Sequence, residues 1–268
     1  MVYAMYFSAT GTTKKVVELI ASTIGGALNS TFDTIDFTLP KVREEKITFK
    51  KEDIVVFGTP VYAGRVPNVL LKFIKSIEGN EARAIPIVLF GNRNYDDALI
   101  ELRNLLEEDG FHTIAAGAFV GEHSFSYTLA AGRPDAEDLN IASTFGEQIG
   151  KMIRDNSESS PIAVKGMTPI RGYYQPRDRK GTAIDIRKVK PKTKDNCISC
   201  SICAEVCPMG AISYEDIRVF QNICIKCGAC IKKCPVEAKY YDDPGFLYHK
   251  SELEDGLGNK RALVETFL

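Results

Sequence analysis

The sequence predicts an α/β protein in which a doubly wound, five-stranded parallel sheet is followed by a small cysteine-bound module. Three observations carry this. Short apolar runs alternate with amphipathic helical patterns over the first 155 residues, all eight cysteines fall between Cys197 and Cys234, and a serine-rich then basic stretch separates the two regions. Strands that alternate with helices pack as a parallel sheet covered on both faces. A chain of 268 residues has room for one ordinary domain and one small one. The expected division is a sheet domain over 1–155, a basic connector over 156–194, a cysteine module over 195–242 and a tail over 243–268 that packs back on the protein.

In order, Val2 to Phe7 is an apolar run suited to a buried strand, and Lys14 to Ile24 carries apolar residues at helical spacing. Phe32, Ile35 and Phe37 mark a second strand and Asp53 to Phe57 a third. Val66 to Ile77 reads as a helix, Ala84 to Phe90 as the fourth strand, and Ala98 to Glu108 as a helix. His112 to Val120 is the fifth strand and Ala136 to Ile153 the last helix of the region. The strand order 2-1-3-4-5 then brings the loops after strands one, three and four together at one sheet edge, where ligands of such folds bind.

The first of those loops, Ser8-Ala9-Thr10-Gly11-Thr12-Thr13, lies between a strand and a helix N-terminus. Unpaired N–H groups and the positive end of the helix dipole make this an anion site. It has neither the Gly-Lys-Ser/Thr of a nucleotide-hydrolysing loop nor the G-x-G-x-x-G of a dinucleotide fold. Ser/Thr-rich strand ends also serve as plain helix caps.

The cysteines form two runs of one spacing, C-x2-C-x2-C-x3-C-P: Cys197, Cys200, Cys203, Cys207-Pro208, then Cys224, Cys227, Cys230, Cys234-Pro235. Three thiolates at this spacing wrap one 4Fe-4S cubane, and the fourth ligates the other cluster. Cluster I is thus expected on Cys197, Cys200, Cys203 and Cys234, and cluster II on Cys224, Cys227, Cys230 and Cys207. A disulfide framework suits short secreted chains, and zinc needs only isolated pairs. Because each cluster would hold both halves, the module should fold only with metal present.

The cysteine stretch, about Lys194 to Asp242, resembles the bacterial two-cluster ferredoxins, which implies low-potential one-electron transfer. Residues 1 to 155 resemble the flavodoxins, with Ser8-x-Thr10-Gly11-x-Thr13 similar to their phosphate loop. The whole chain resembles a flavodoxin-ferredoxin fusion family of anaerobic bacteria and archaea, whose best local mark here is Gly91-Asn92-Arg93-x-Tyr95-Asp96-Asp97. The resemblance implies FMN, with Ser8, Thr10, Gly11, Thr12 and Thr13 on its phosphate. Its ring would lie between the loop with Thr59, Pro60, Tyr62, Ala63 and Gly64 and the loop with Gly91, Asn92, Arg93, Asn94, Tyr95 and Asp96, with Tyr62 and Tyr95 at the aromatic positions. The chain has no tryptophan, which leaves the stacking partner of the inner flavin face open. His123, in the loop after the fifth strand, is a candidate to donate to the flavin or shuttle a proton.

The net charge of −1 conceals a basic connector: residues 165–194 hold ten Lys or Arg and two acids. Its Tyr173 and Tyr174 interleave with Arg171, Arg177 and Arg179, but one basic segment does not make a nucleic-acid interface, and a strap between two acidic domains is the better reading. No apolar run approaches the ~20 residues of a membrane span, and the start lacks the basic flank of a signal peptide, so a soluble cytoplasmic protein is expected.

These readings converge on an electron-transfer flavoprotein that passes electrons between FMN, two 4Fe-4S clusters and a redox partner protein. The alternative is a flavin-dependent reductase of a small molecule (a quinone, nitro compound or unsaturated acid) fed by the clusters, with Arg65, Arg93 and His123 as substrate contacts. Lys226, Lys232 and Lys233 in the second run, against Glu205 in the first, predict the higher potential for cluster II.

Overall fold

The computed structural model describes residues 1–268. Its elements in chain order are β1 (Val2–Tyr6), α1 (Thr12–Ala27), β2 (Phe32–Asp36), β3 (Ile54–Pro60), α2 (Leu71–Ile74), β4 (Arg83–Phe90), α3 (Ala98–Glu108), β5 (His112–Thr113), β6 (Ala116–Val120) and α4 (Ala136–Asp155). Then follow β7 (Lys192–Thr193), α5 (Ile202–Glu205), α6 (Ala229–Lys232), β8 (Lys239–Tyr240), α7 (Pro244–Leu257) and β9 (Glu265–Phe267). The main sheet runs β2-β1-β3-β4-β6-β9, with β5 also on β4. All its pairings are parallel except β6 with β9.

Alternate residues of the strands feed two cores. Val2, Ala4 and Tyr6 face α1 and α4 with Ile20, Ile24, Phe145 and Ile149, whereas Met5, Phe7 and Phe57 face α2 and α3 with Phe73, Leu99 and Leu102. This is the double winding that period-two alternation on a two-sided sheet requires. At Gly58, where α1 crosses β3, a Cβ would lie 2.3 Å from Val17 Cγ2. Helix α4 starts on a capping box in which Asp135 accepts from Glu137 N and Asp138 N, while Asp138 accepts from Asp135 N.

Three elements depart from the sequence expectation. The helix read over Val66 to Ile77 is only a 3-10 turn (Asn68–Leu70) and one α turn, α2. Pro67 precedes it, and Ser76 N and Ile77 N bond three residues back to Phe73 O and Ile74 O, so the winding tightens although its apolar residues still face the core. The fifth strand is split into β5 and β6. Ala84 pairs with Thr113 but Ile87 with Gly117, so one residue is inserted opposite Pro86, which has no N–H for the ladder. The sheet also gains β9 from the tail, which covers the edge of β6.

The connector runs along the flavodoxin-like half and into the cysteine module. Arg171 forms a two-pronged pair with the fully buried Asp97, which also accepts from Met167 N and Arg171 N. Lys165 pairs with Glu265 of β9, Arg179 with Glu252 of α7, and Lys192 with Asp242. No helix is long and apolar enough to cross a membrane.

Candidate functional site

The loop after β1 bends into α1 through Gly11, whose φ of 93° is left-handed. Ser8 Oγ accepts from Lys14 N at 2.9 Å and Ser8 N donates to Thr38 Oγ1 at 2.8 Å, so this hydroxyl caps the helix and is committed before any ligand arrives. No protein acceptor meets the N–H groups of residues 9–13. Ala9, Thr10, Thr12 and Thr13 line a cavity of about 60 Å³ together with Pro60, Tyr62, Gly91, Glu122, His123 and Cys227, and Gly11 lines a larger one beside it. Unpaired backbone donors at a helix N-terminus suit a phosphate.

The loop after β3 closes as a two-residue turn, with Ala63 and Gly64 at φ of 52° and 76° and Tyr62 N donating to Arg65 O at 3.0 Å. The turn leaves the Tyr62 ring against the cavity, where burial and then the thiols of Cys227 and Cys224 raise its phenol well above the usual value. Thr59, just before Pro60, is fully buried with a hydroxyl that has no hydrogen-bond partner, and it does not line the cavity, which Pro60 and Tyr62 of this loop reach.

The loop after β4 behaves differently from the sequence reading. Asn92, buried at φ 65°, spends its amide on the tail: Nδ2 donates to Leu257 O and Lys260 O, and Oδ1 accepts from Ala262 N. Tyr95 is in the core against Phe90, its hydroxyl donating to Glu265 Oε2 at 3.0 Å, and does not line the cavity. Arg93 pairs with Asp96 and lies 4.4 Å from the centroid of the Tyr174 ring, while Asn94 Oδ1 accepts from Asp96 N. Of this loop only Gly91 lines the cavity. The physical reason is the tail and connector, which fold over the loop and take its polar groups.

His123 does reach the cavity. Its Nδ1 accepts from Phe125 N at 3.1 Å, so the proton of the neutral ring resides on Nε2. Burial, then the nearby His249, Lys232 and Arg93, lower its pKa to about 4, so it is a neutral donor at pH 7 and not a cation.

The cysteines line two cavities of about 20 Å³ each: Cys197, Cys200, Cys203 and Cys234 around one, and Cys207, Cys224, Cys227 and Cys230 around the other. No three His, Cys, Asp or Glu side chains converge as a site for a single metal ion. Backbone N–H groups aim at the sulfurs at matching places, Ala211 N at Cys207 Sγ (3.3 Å) and Ala238 N at Cys234 Sγ (3.2 Å). Both quartets, each with apolar walls and N–H···S bonds, fit a thiolate-bound cluster. Burial raises the Cys227 thiol to about 12, so metal must displace its proton.

Cys227 lines both its own quartet's cavity and the cavity of Thr10, Tyr62 and His123. Gly228 lies against the same loop: a Cβ there would sit 2.6 Å from Ser124 O. Four residues complete this region; sequence reasoning weighed Lys232 only for the potential of cluster II and passed over the other three. Lys15, Glu122 and Lys232 line a second, polar cavity, and Lys239 lines the Cys197 quartet. Only Lys239 left a signal: the offset that carries Cys197 onto Cys224 carries the buried Ile212 onto it, and a lysine in an apolar position of a repeat is unusual.

A flavodoxin-domain family model matches residues 3–109 and a 4Fe-4S dicluster-domain model matches residues 163–252. No curated protein matches the chain. Among solved structures it is similar to a flavodoxin from the domain Archaea (16% identity over 57% of this chain and 98% of that one, TM-score 0.41). It is also similar to a Streptococcus pneumoniae flavodoxin (17%, 56% and 97%, TM-score 0.39) and to an NADH:FMN oxidoreductase in its apo form (19%, 55% and 88%, TM-score 0.39). A flavodoxin domain implies FMN and a 4Fe-4S dicluster domain implies iron–sulfur clusters, and this chain is a fusion of the first, at its N-terminal end, with the second, at its C-terminal end.

Proposed function

We propose that the protein is an electron carrier in which FMN, held by the loops after β1 and β3, exchanges electrons with two 4Fe-4S clusters ligated by the two cysteine quartets. Bound FMN supplies two-electron capacity beside two one-electron clusters, and the protein's part is to position and tune them. The observation that carries this reading is Cys227, which lines both its quartet and the flavin cavity. The second quartet therefore adjoins the flavin. The first, whose Cys200 is exposed, is the one a redox partner protein can approach.

Within the flavin cavity, the amides of residues 9–13 would hold the phosphate, Tyr62 would cover the ring, and the Nε2–H of His123 offers it a hydrogen-bond donor. Carrier is favoured over small-molecule reductase because the arginines that would contact a substrate are committed. Arg65 makes a two-pronged pair with Glu101 and bonds Arg171 O, and Arg93 is held by Asp96 and Tyr174.

The test is anaerobic reduction of the fully loaded chain by a viologen radical, a one-electron donor. Flavin reduction should slow strongly in Cys197→Ser, which removes a ligand of the exposed quartet, and steady-state turnover with quinones, nitroaromatics and unsaturated acids should be negligible beside it. Undiminished flavin reduction in that variant, or fast turnover of one of those acceptors, would replace the carrier reading by the reductase.

A further inference from the structure

The flavin cavity continues into a larger one of about 330 Å³ that shares Thr10, Thr12 and Glu122 with it. Three cations stand around this space. Arg133 is buried and spent on Asp138 and Ala262 O. Lys15 Nζ donates to Pro134 O at 3.0 Å and has no carboxylate partner. Lys232 Nζ pairs with Glu122 and donates to Ser126 O at 2.6 Å, which leaves one of its three N–H donors.

Lys232 belongs to the other domain. It ends α6, between Cys230 and Cys234, and those two thiols line different quartets. Its place at the flavin end of the molecule is therefore fixed by the metal-bound fold of the cysteine module. Glu122 is the one carboxylate that lines both cavities, and uncompensated it would repel a phosphate entering the loop of residues 9–13. The ammonium on Glu122 removes that repulsion and supplies a donor.

We propose that Lys232 completes the phosphate end of the flavin site, so that retention of FMN, as opposed to its ring alone, depends on the iron–sulfur domain being loaded. This rests on the reading that the loop of residues 9–13 binds the FMN phosphate. Loss of one charge-assisted hydrogen bond, with Glu122 left bare, should weaken FMN by about ten- to a hundredfold.

The experiment uses the cluster-loaded full chain, stripped of flavin and titrated with FMN and with riboflavin, which lacks the phosphate. Iron content and the visible iron–sulfur spectrum report that each variant is loaded. Lys232→Met should bind FMN about ten- to a hundredfold more weakly with little change for riboflavin, and Lys232→Arg should restore most of the difference. Removing iron from the wild type with a chelator should lower the FMN-over-riboflavin preference by a similar factor, and the same treatment of Lys232→Met should lower it no further. Equal losses for both flavins in Lys232→Met, or a preference unchanged by the variant or the chelator, would overturn the proposal and leave Lys232 a strut between domains. If the wild type binds neither flavin, the carrier reading itself fails, a result distinct from the others.

Discussion

The two cysteine runs are written to one pattern and end in different surroundings. The offset that carries Cys197 onto Cys224 also superposes their backbones in detail. Ser199 and Ser201 have φ of 53° and 61°, Lys226 and Gly228 have 55° and 76°, and Gly210 and Glu237 have 54° and 51°. Yet Cys200 is exposed, whereas its counterpart Cys227 is buried beside the cavity of Thr10, Tyr62 and His123. The differences in sequence fall where the surroundings differ. Gly228 replaces Ser201 although both are left-handed, so backbone freedom is not the reason for the glycine; the approach of Ser124 O is. Lys232 replaces Glu205, and it meets Glu122 of the flavodoxin half. At these two positions the divergent residues serve the neighbour, whereas Lys239, which diverges from Ile212, lines a quartet.

The comparison breaks most completely at the ligands. Cys234→Ser lies in the second run but should destroy the cluster of the first, and Cys207→Ser the reverse, as followed by iron content and the paramagnetic signal of each cluster. Loss of the cluster in the mutated run alone would mean that each run closes on itself.

Gly228→Ser makes the second run match the first and should drive a side chain into the Ser124 carbonyl, costing about 1–3 kcal/mol in denaturant unfolding of the loaded protein. Ser201→Gly, the reciprocal change, should cost only a few tenths. A stabilisation by Ser201→Gly as large as the loss in Gly228→Ser would show that φ, and not the neighbouring loop, selects the glycine.

Assembly of the two clusters should also separate with pH. In the second quartet burial pushes Cys227 up to about 12 and raises Cys224 and Cys230. In the first quartet burial raises Cys203 as well, but at Cys234 it is outweighed by the N–H groups of Val236, Ala238, Lys239 and Glu237, which leave that thiol below its ordinary value. Each ligand gives up its proton to bind iron, so a raised pKa keeps proton and iron in competition to higher pH. Reconstitution from pH 7 to 9 should therefore continue to improve for the cluster on Cys224, Cys227 and Cys230 after the other has levelled off.

The smallest effect concerns redox order. Lys232 is neutralised by Glu122, and Lys226 Nζ donates to Arg187 O and Cys224 O, so the charges that favoured cluster II in the sequence are partly spent. Lys239 lines the first quartet, buried, with Thr193 Oγ1 (2.8 Å) and Ile217 O (2.5 Å) as hydrogen-bond partners and the Phe220 ring 5.7 Å away. A buried ammonium with neutral partners favours the reduced, more anionic cluster. Lys239→Met should lower the potential of cluster I more than that of cluster II, by an amount on the order of the ~59 mV that a tenfold change represents for a one-electron couple. A larger fall at cluster II would return the order to the lysines of the second run.

Local pattern was enough for whatever depends on neighbours in the chain. Alternating β-branched runs, helical spacing and the loop Ser8 to Thr13 specified a doubly wound sheet with an anion site, because period and unpaired helix amides are properties of short segments. The cysteine spacing specified the cluster type for the same reason. Tertiary structure alone decided which polar groups remain free for a cofactor. Asn92 and Tyr95 stand in the expected loop but are claimed by Leu257, Lys260, Ala262 and Glu265, more than 160 residues away. Pro86 splits the fifth strand only because that strand lies beside it. Lys232 meets Glu122 across 110 positions. A hydrogen bond or ion pair is set by distance in space, and no periodicity along the chain encodes which remote segment will arrive to take it.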